Sequence, residues 1–319
     1  MPSIRSKLFR LILKAVVAPR IRSAGCSVEE LRKVAADLAQ RQRLPQGVIV
    51  EAVEIGNRLE GEWITPVHTS ADATVLYLHG GGLVMGSPAT HRELAARIAL
   101  GSRCRVLSID YSLAPEFPFP SAVDDTVQAY QWLIQAGTPA GRITIGGDSG
   151  GGSLALQSAM TLRDRALSFP SSLFMMSPQT DWLEFDGESY STRAKLDPWV
   201  TKEMCRFFAS LYVGESTAAQ QCLSLATMDL RGLPPILIQA GDREVLLSDA
   251  TRLADLARRA GVDVRLDVWP GMWHAFQSSA GLVPEARRAI AELGSFVREH
   301  LLDAPMAGKI GEAEEQEQN

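Results

Sequence analysis

Only four cysteines occur in the chain, and Cys26, Cys104, Cys205 and Cys222 stand far apart with no C-x-x-C pair. With neither paired thiols nor a neighbouring histidine cluster, no zinc site and no disulfide framework is expected, and free thiols fit a reducing compartment. Charge of one sign is also scarce. The formal net charge is −5 over 319 residues, and the stretch from Asp303 onward, with five acidic residues against Lys309, carries −4 of it. A body at −1 excludes a nucleic-acid footprint and implies no strongly charged substrate. Long apolar runs are missing too. Arg10 and Lys14 interrupt the first apolar stretch, which excludes a signal peptide or a membrane span. The expectation is a cytoplasmic protein without stable membrane insertion.

What is present is a 46% hydrophobic chain able to bury a full core, with one large domain as the default. Near the start, Ile4, Leu8, Leu11, Ile12 and Ala15 fall at helical spacing with Arg5, Lys7, Arg10 and Lys14 among them. Such a basic amphipathic helix suits a membrane surface or a seat on the body of the protein, and the seat is the expectation. Ser27-Val28-Glu29-Glu30 reads as a capping box opening a second helix, whose stripe is Val28, Leu31, Val34, Ala35 and Leu38. Short alternating runs at 48–50 and 62–64 then predict two strands, a hairpin at a sheet edge.

A steady rhythm follows. Apolar runs too short for helices recur at 75–78, 106–109, 143–145, 173–176, 236–238 and 264–268. Helical patterns lie between and after them at 91–99, 122–135, 153–163, 249–260 and 284–301. This alternation predicts an α/β fold with a central, mostly parallel sheet covered on both faces, its chemistry beyond the carboxyl ends of the strands. Residues 181–231 break the rhythm with no strand pattern and two helices around 201–212. The division expected is therefore a cap of helices at 1–46, a catalytic domain at 47–180 and 232–303, a cap insertion at 181–231, and a disordered acidic tail at 304–319. In the insertion, Trp182, Phe185, Trp199, Phe207 and Phe208 are candidates for lining a substrate pocket.

Two glycine-rich motifs carry the chemistry. Gly147-Asp148-Ser149-Gly150-Gly151 follows one strand and precedes a helix, as a G-x-S-x-G nucleophile elbow requires. His79-Gly80-Gly81-Gly82 follows the first core strand; its amides can converge on a developing oxyanion, and no P-loop Lys-Ser/Thr comes after it. A triad on this fold runs serine, acid, histidine in chain order. Of His68, His79, His91, His274 and His300, only His274 lies after Ser149 in a post-strand loop; His300 closes the last helix. For the acid, Asp242, Glu244 and Asp249 all follow the strand at 236–239. Asp249 reads as a cap of the next helix, leaving Asp242 and Glu244 open.

Together with Asp110-Tyr111-Ser112-Leu113-Ala114-Pro115-Glu116, Pro118-Phe119-Pro120 and His274-Ala275-Phe276, these motifs resemble the hormone-sensitive lipase family of esterases, of the bacterial carboxylesterase type. The resemblance runs from about Val75 to Phe276. It implies an α/β-hydrolase with a helical cap, and it places the acid at Glu244, with Asp242 as the rival. The chain departs from the family at Gly150, where alanine is common, and lacks the usual Asp-Pro-Leu around the acid. The function implied is a serine carboxylesterase for short- to medium-chain esters, using Ser149, Glu244 and His274 with an oxyanion hole of Gly81, Gly82 and Gly150. The substrate would be a small-molecule ester, with no metal and no organic cofactor. An amidase or deacetylase with the same triad, or a hydrolase-like receptor, are the alternatives. The resemblance also allows a homodimer.

Overall fold

The computed structural model describes residues 2–25, 27–68, 72–214 and 222–301. Cys26 and the tail expected at 304–319 lie outside the described residues. The short apolar runs form strands β1 (Val48–Ile55), β2 (Leu59–Pro66), β3 (Thr74–Leu78), β4 (Arg105–Ile109), β5 (Ile143–Asp148), β6 (Ser172–Met176), β7 (Ile236–Gly241) and β8 (Val264–Trp269). The helices are α1 (Ile4–Ile12), α2 (Ala18–Ala24), α3 (Val28–Ala39), α4 (Pro88–Ser102), α5 (Ser121–Gln135) and α6 (Gly150–Asp164). After them come α7 (Ser189–Thr192), α8 (Lys202–Tyr212), α9 (Leu247–Arg259) and α10 (Pro284–His300).

One eight-stranded sheet has the order β1-β2-β4-β3-β5-β6-β7-β8. The β1–β2 hairpin sits at its edge, β2 runs antiparallel to both neighbours, and all pairings from β4 to β8 are parallel. Period-two alternation divides the strands between two cores. Leu76, Leu78, Ile145, Leu173 and Ile238 pack on one face with Val127, Leu154 and Leu253 from α5, α6 and α9. Val75, Tyr77, Phe174 and Leu237 pack on the other with Leu94, Ile98 and Leu293 from α4 and α10. Since β4 and β5 flank β3 on opposite sides, the chain order reverses there, which opens a crevice beyond the strand ends. Leu78 pairs with Gly147, so the loops after β3 and β5 leave the sheet side by side.

Several local expectations change. Ser27 Oγ accepts the Glu30 amide at 3.3 Å, but the reciprocal capping box forms at Ser87 and Thr90, where both side chains are short and the two bonds close together. Helix α6 begins at Gly150, earlier than the apolar pattern, because its first turn is built from the elbow glycines. Around 201–212 there is one helix, α8, with the short α7 before it. The basic N-terminal segment does seat on the body: Ser3 Oγ bonds Glu285 of α10 at 2.9 Å and Phe9 stacks on Trp273 at 6.0 Å. Between α1 and α2, Leu13–Val17 widen into a π-helical turn.

Candidate active site

Ser149 is held at φ 53° and ψ −122°, a strained conformation between β5 and α6. Glycine at 147 and 151 makes the turn possible, since a Cβ at either position would strike the Leu78 carbonyl at the end of β3. The Ser149 amide donates to the Met176 carbonyl at 2.8 Å, tying the elbow to β6.

Beside it runs the glycine loop after β3. Gly81 and Gly82 take φ 120° and 63°, and a side chain on Gly82 would collide with Phe208 of α8. Among the described residues, the amides of Gly81, Gly82 and Gly150 donate to no protein group. Gly150 lies tightly against this loop, because a Cβ there would come within 3.0 Å of Gly82 Cα and 3.1 Å of the Gly82 and Leu83 nitrogens. The departure at position 150 therefore permits close approach of the two loops.

Asp148 secures that approach from below. Its Oδ1 accepts the Tyr77 hydroxyl and the Gly80 amide, the latter at 3.0 Å, while its Oδ2 lies 3.6 Å from His91 Nε2. Burial raises the Asp148 pKa, but His91 and the Tyr77 hydroxyl outweigh it and leave the carboxyl below its usual range. Burial holds His79 down to about 3, so this imidazole is neutral; its ring stacks on Tyr111 at 4.2 Å. Tyr111 Oη donates to the His79 carbonyl at 2.6 Å, fixing the start of the loop. Nothing along the chain marks Asp148, Tyr77, His91 and Tyr111 as site residues, although Asp148 lies inside the elbow motif and Tyr111 inside the run Asp110–Glu116.

Glu244 and His274 follow β7 and β8 and are both buried. Glu244 Oε2 accepts the Gly241 amide at 2.9 Å and the Ser177 hydroxyl at 2.7 Å. Its Oε1 is buried without a partner, and so is His274 Nδ1. Burial pushes Glu244 up to about 8 against those two hydrogen bonds, and it pushes His274 down to about 4 against the nearby charge of Asp148. A neutral imidazole is the form a general base needs. The rival Asp242 is engaged elsewhere: its Oδ1 accepts the Gly271 amide at 2.6 Å, and its side chain is 41% exposed. Asp249 does not cap α9 either. It lies in that helix's first turn, and its Oδ2 accepts the Thr180 and Asp181 amides at 3.0 and 3.2 Å.

A cavity of about 140 Å³ joins these parts, lined by Gly80, Gly81, Gly82, Ser149 and His274 together with Ala35 and Leu38 of α3. Of the expected pocket aromatics, Trp199 and Phe208 line it. Trp182, Phe185 and Phe207 do not, because each is occupied in packing: Trp182 donates to Ser153 at 2.7 Å, Phe185 meets Tyr190 edge-on, and Phe207 leans on Phe208. From α3, Arg32 bonds the Val84 and Ala114 carbonyls at 2.9 and 3.0 Å and pairs with Glu116, so the N-terminal helices are clamped to the glycine loop. Among the described residues, no group of three or more His, Cys, Asp or Glu side chains is placed to hold a metal ion.

Known proteins resemble this chain over most of their length. A family described as alpha/beta hydrolase fold matches residues 75–278. An acetyl-hydrolase of Streptomyces hygroscopicus is 38% identical over 269 residues, 84% of this chain and 89% of that protein. An esterase of Acinetobacter venetianus is 35% identical over 262 residues, 81% and 86% of the two chains. Among solved structures, an esterase from the bacterial hormone-sensitive lipase family superposes with a TM-score of 0.87 at 38% identity, covering 94% of this chain and 99% of the other. The chain belongs to the bacterial hormone-sensitive lipase family of α/β-hydrolases.

Proposed function

We propose that the protein is a serine carboxylesterase in which Ser149 is the nucleophile, His274 the general base and Glu244 the acid that orients it. Neutral His274 takes the Ser149 proton as Oγ attacks the ester carbonyl, and the oxyanion is received by the amides of Gly81, Gly82 and Gly150. The imidazolium then protonates the departing alcohol. Water, deprotonated by the same imidazole, releases the acid from the acyl-enzyme and restores Ser149. Helix α3, whose Ala35 and Leu38 line the cavity, and the described parts of the insertion, residues 181–214 and 222–231, act as the cap over this centre.

The observation that carries the reading is the convergence on one cavity of the strained Ser149, the neutral imidazole of His274 and the amides of Gly81 and Gly82, which among the described residues donate to no protein group. A nucleophile, a base and oxyanion donors facing one space are what acyl transfer requires. Glu244 Oε1 and His274 Nδ1 are buried without a partner, so the orienting hydrogen bond between them is one that closes as the imidazolium develops.

A cavity near 140 Å³ supports short acyl groups, being well below the ~300–1,000 Å³ of pockets that enclose drug-sized ligands. We take the working compartment to be the cytoplasm, where the buried free thiols of Cys104 and Cys205 stay reduced. The test is Ser149→Ala assayed on p-nitrophenyl esters from acetyl to dodecanoyl. Turnover should vanish in the variant, and in the wild type it should peak among the shortest chains; persistent turnover in Ser149→Ala would remove the assignment.

A further inference from the structure

Helix α1 has two apolar faces, and the fold uses one. Phe9 and Leu13 pack inward against the core that contains Trp273, and Ser6 is buried beside them. The other face carries Ile4, Leu8, Ile12 and Val16 at four-residue steps, with Leu11 alongside. These side chains are 83%, 58%, 44%, 45% and 58% exposed, respectively, and so form a continuous outward stripe through the π-helical turn. Large exposed apolar side chains occur singly on most proteins; a run of them on one helix face marks a contact surface.

The helix cannot turn this stripe inward. Ser3 holds its start to Glu285, Phe9 stacks on Trp273, and Arg10 and Lys14 donate to the Leu196 and Lys195 carbonyls at 3.3 and 2.7 Å. The stripe is also set in positive charge. Residues 2–25 contain Arg5, Lys7, Arg10, Lys14, Arg20 and Arg22 and no Asp or Glu, although the chain as a whole is net acidic. Arg5 and Lys7 are exposed at the edge of the stripe.

We propose that the outer face of α1 docks on an anionic lipid bilayer, lying in the plane of the surface with its apolar stripe at the acyl boundary and its cations among the headgroups. An exposed apolar stripe with basic flanks is what an interfacial helix requires, and a segment with six cations and no acidic residue of its own selects anionic over neutral lipid. No helix among the described residues is long and apolar enough to cross a membrane, so the contact is peripheral. A second copy of the chain is the poorer occupant: a twofold contact through this patch would set the Arg5 and Lys7 edges against their own copies, bringing like charges together.

The full-length protein tests this by co-sedimentation with vesicles of mixed phosphatidylcholine and phosphatidylglycerol and with vesicles of phosphatidylcholine alone. Wild type should pellet with the mixed vesicles, less as salt rises, and little with the neutral ones. Arg5→Gln with Lys7→Gln should lower partitioning roughly 10- to 30-fold at low salt. Leu8→Glu with Leu11→Glu should abolish it while turnover of a soluble aryl ester stays at the wild-type level, which shows that the variant is folded. Failure to pellet, equal binding to neutral vesicles, or unchanged binding by the Leu8/Leu11 variant overturns the proposal. So does a wild-type dimer, seen by light scattering, that the same variant dissolves. None of these outcomes depends on the esterase reading, which the soluble-substrate assay follows separately.

Discussion

Ser177 Oγ donates to Glu244 Oε2 at 2.7 Å and accepts the amide of Ala275 at 2.9 Å, so one hydroxyl spans the proposed acid and the residue next to His274. The bond stabilises the charged carboxylate and fixes which oxygen remains open. Ser177→Ala should therefore reduce kcat by about 10- to 100-fold, the value of one hydrogen bond to a charged group, with KM little changed. It should also move the acid limb of the kcat/KM profile to higher pH, since the carboxyl loses a donor that favours ionisation. A residue that only held the fold would leave that limb where it was.

The choice of acid separates by mutation. Glu244→Gln removes the charge that balances an imidazolium at His274 and should lower kcat on the order of 10⁴-fold. Asp242→Asn keeps an oxygen for the Gly271 amide and loses only the half-exposed ion pair with Arg243 at 4.0 Å, so it should cost at most about 1 kcal/mol of stability at near-normal turnover. If steady-state rates on p-nitrophenyl acetate show the reverse pattern, Asp242 is the acid.

The contrast between these residues shows what a sequence discloses. Ser149, the glycine loop and His274 are legible because each follows a strand within a few residues, and the constraint on each is local. Strand alternation disclosed the parallel sheet for the same reason. Ser177 and His91 are ordinary residues along the chain; their roles arise only where β6 meets the β8 loop and where α4 meets the elbow. The aromatics divide for another reason. Trp182, Phe185 and Phe207 have the same composition signal as Trp199 and Phe208, and only tertiary packing decides which side of the cap each ring faces.

Gly150→Ala asks whether tight contact between elbow and glycine loop matters. The new Cβ would sit 3.0 Å from Gly82 Cα and 3.1 Å from the Leu83 nitrogen, so the loop must retreat by a few tenths of an ångström. Alanine favours the first turn of α6, which offsets the crowding in the stability balance. The cost should fall on the oxyanion donors: kcat lower by roughly 3- to 10-fold, KM near wild type and the melting temperature nearly unchanged. Faster turnover in the variant would mean that the loops have room to spare.

Asp249 has a different test, in stability against pH. Burial raises its carboxyl to about 7, with the Thr180 and Asp181 amides opposing the shift and the neighbouring Asp181 charge adding to it. Since the folded pKa lies above the ordinary value of 3.8, the folded state holds this proton more tightly than the unfolded chain does. The stabilisation is complete below the unfolded pKa and is lost as pH rises through about 7. Glu244, raised to about 8, and Asp197, raised to about 6, contribute with the same sign, so only a comparison of variants isolates Asp249. Asp249→Asn keeps an oxygen for the Thr180 and Asp181 amides and removes the ionisation. Urea unfolding should find the two proteins similar near pH 4 and the variant more stable by on the order of a few kcal/mol at pH 8. A constant difference across that range would show that Asp249 does not titrate differently in the folded and unfolded states.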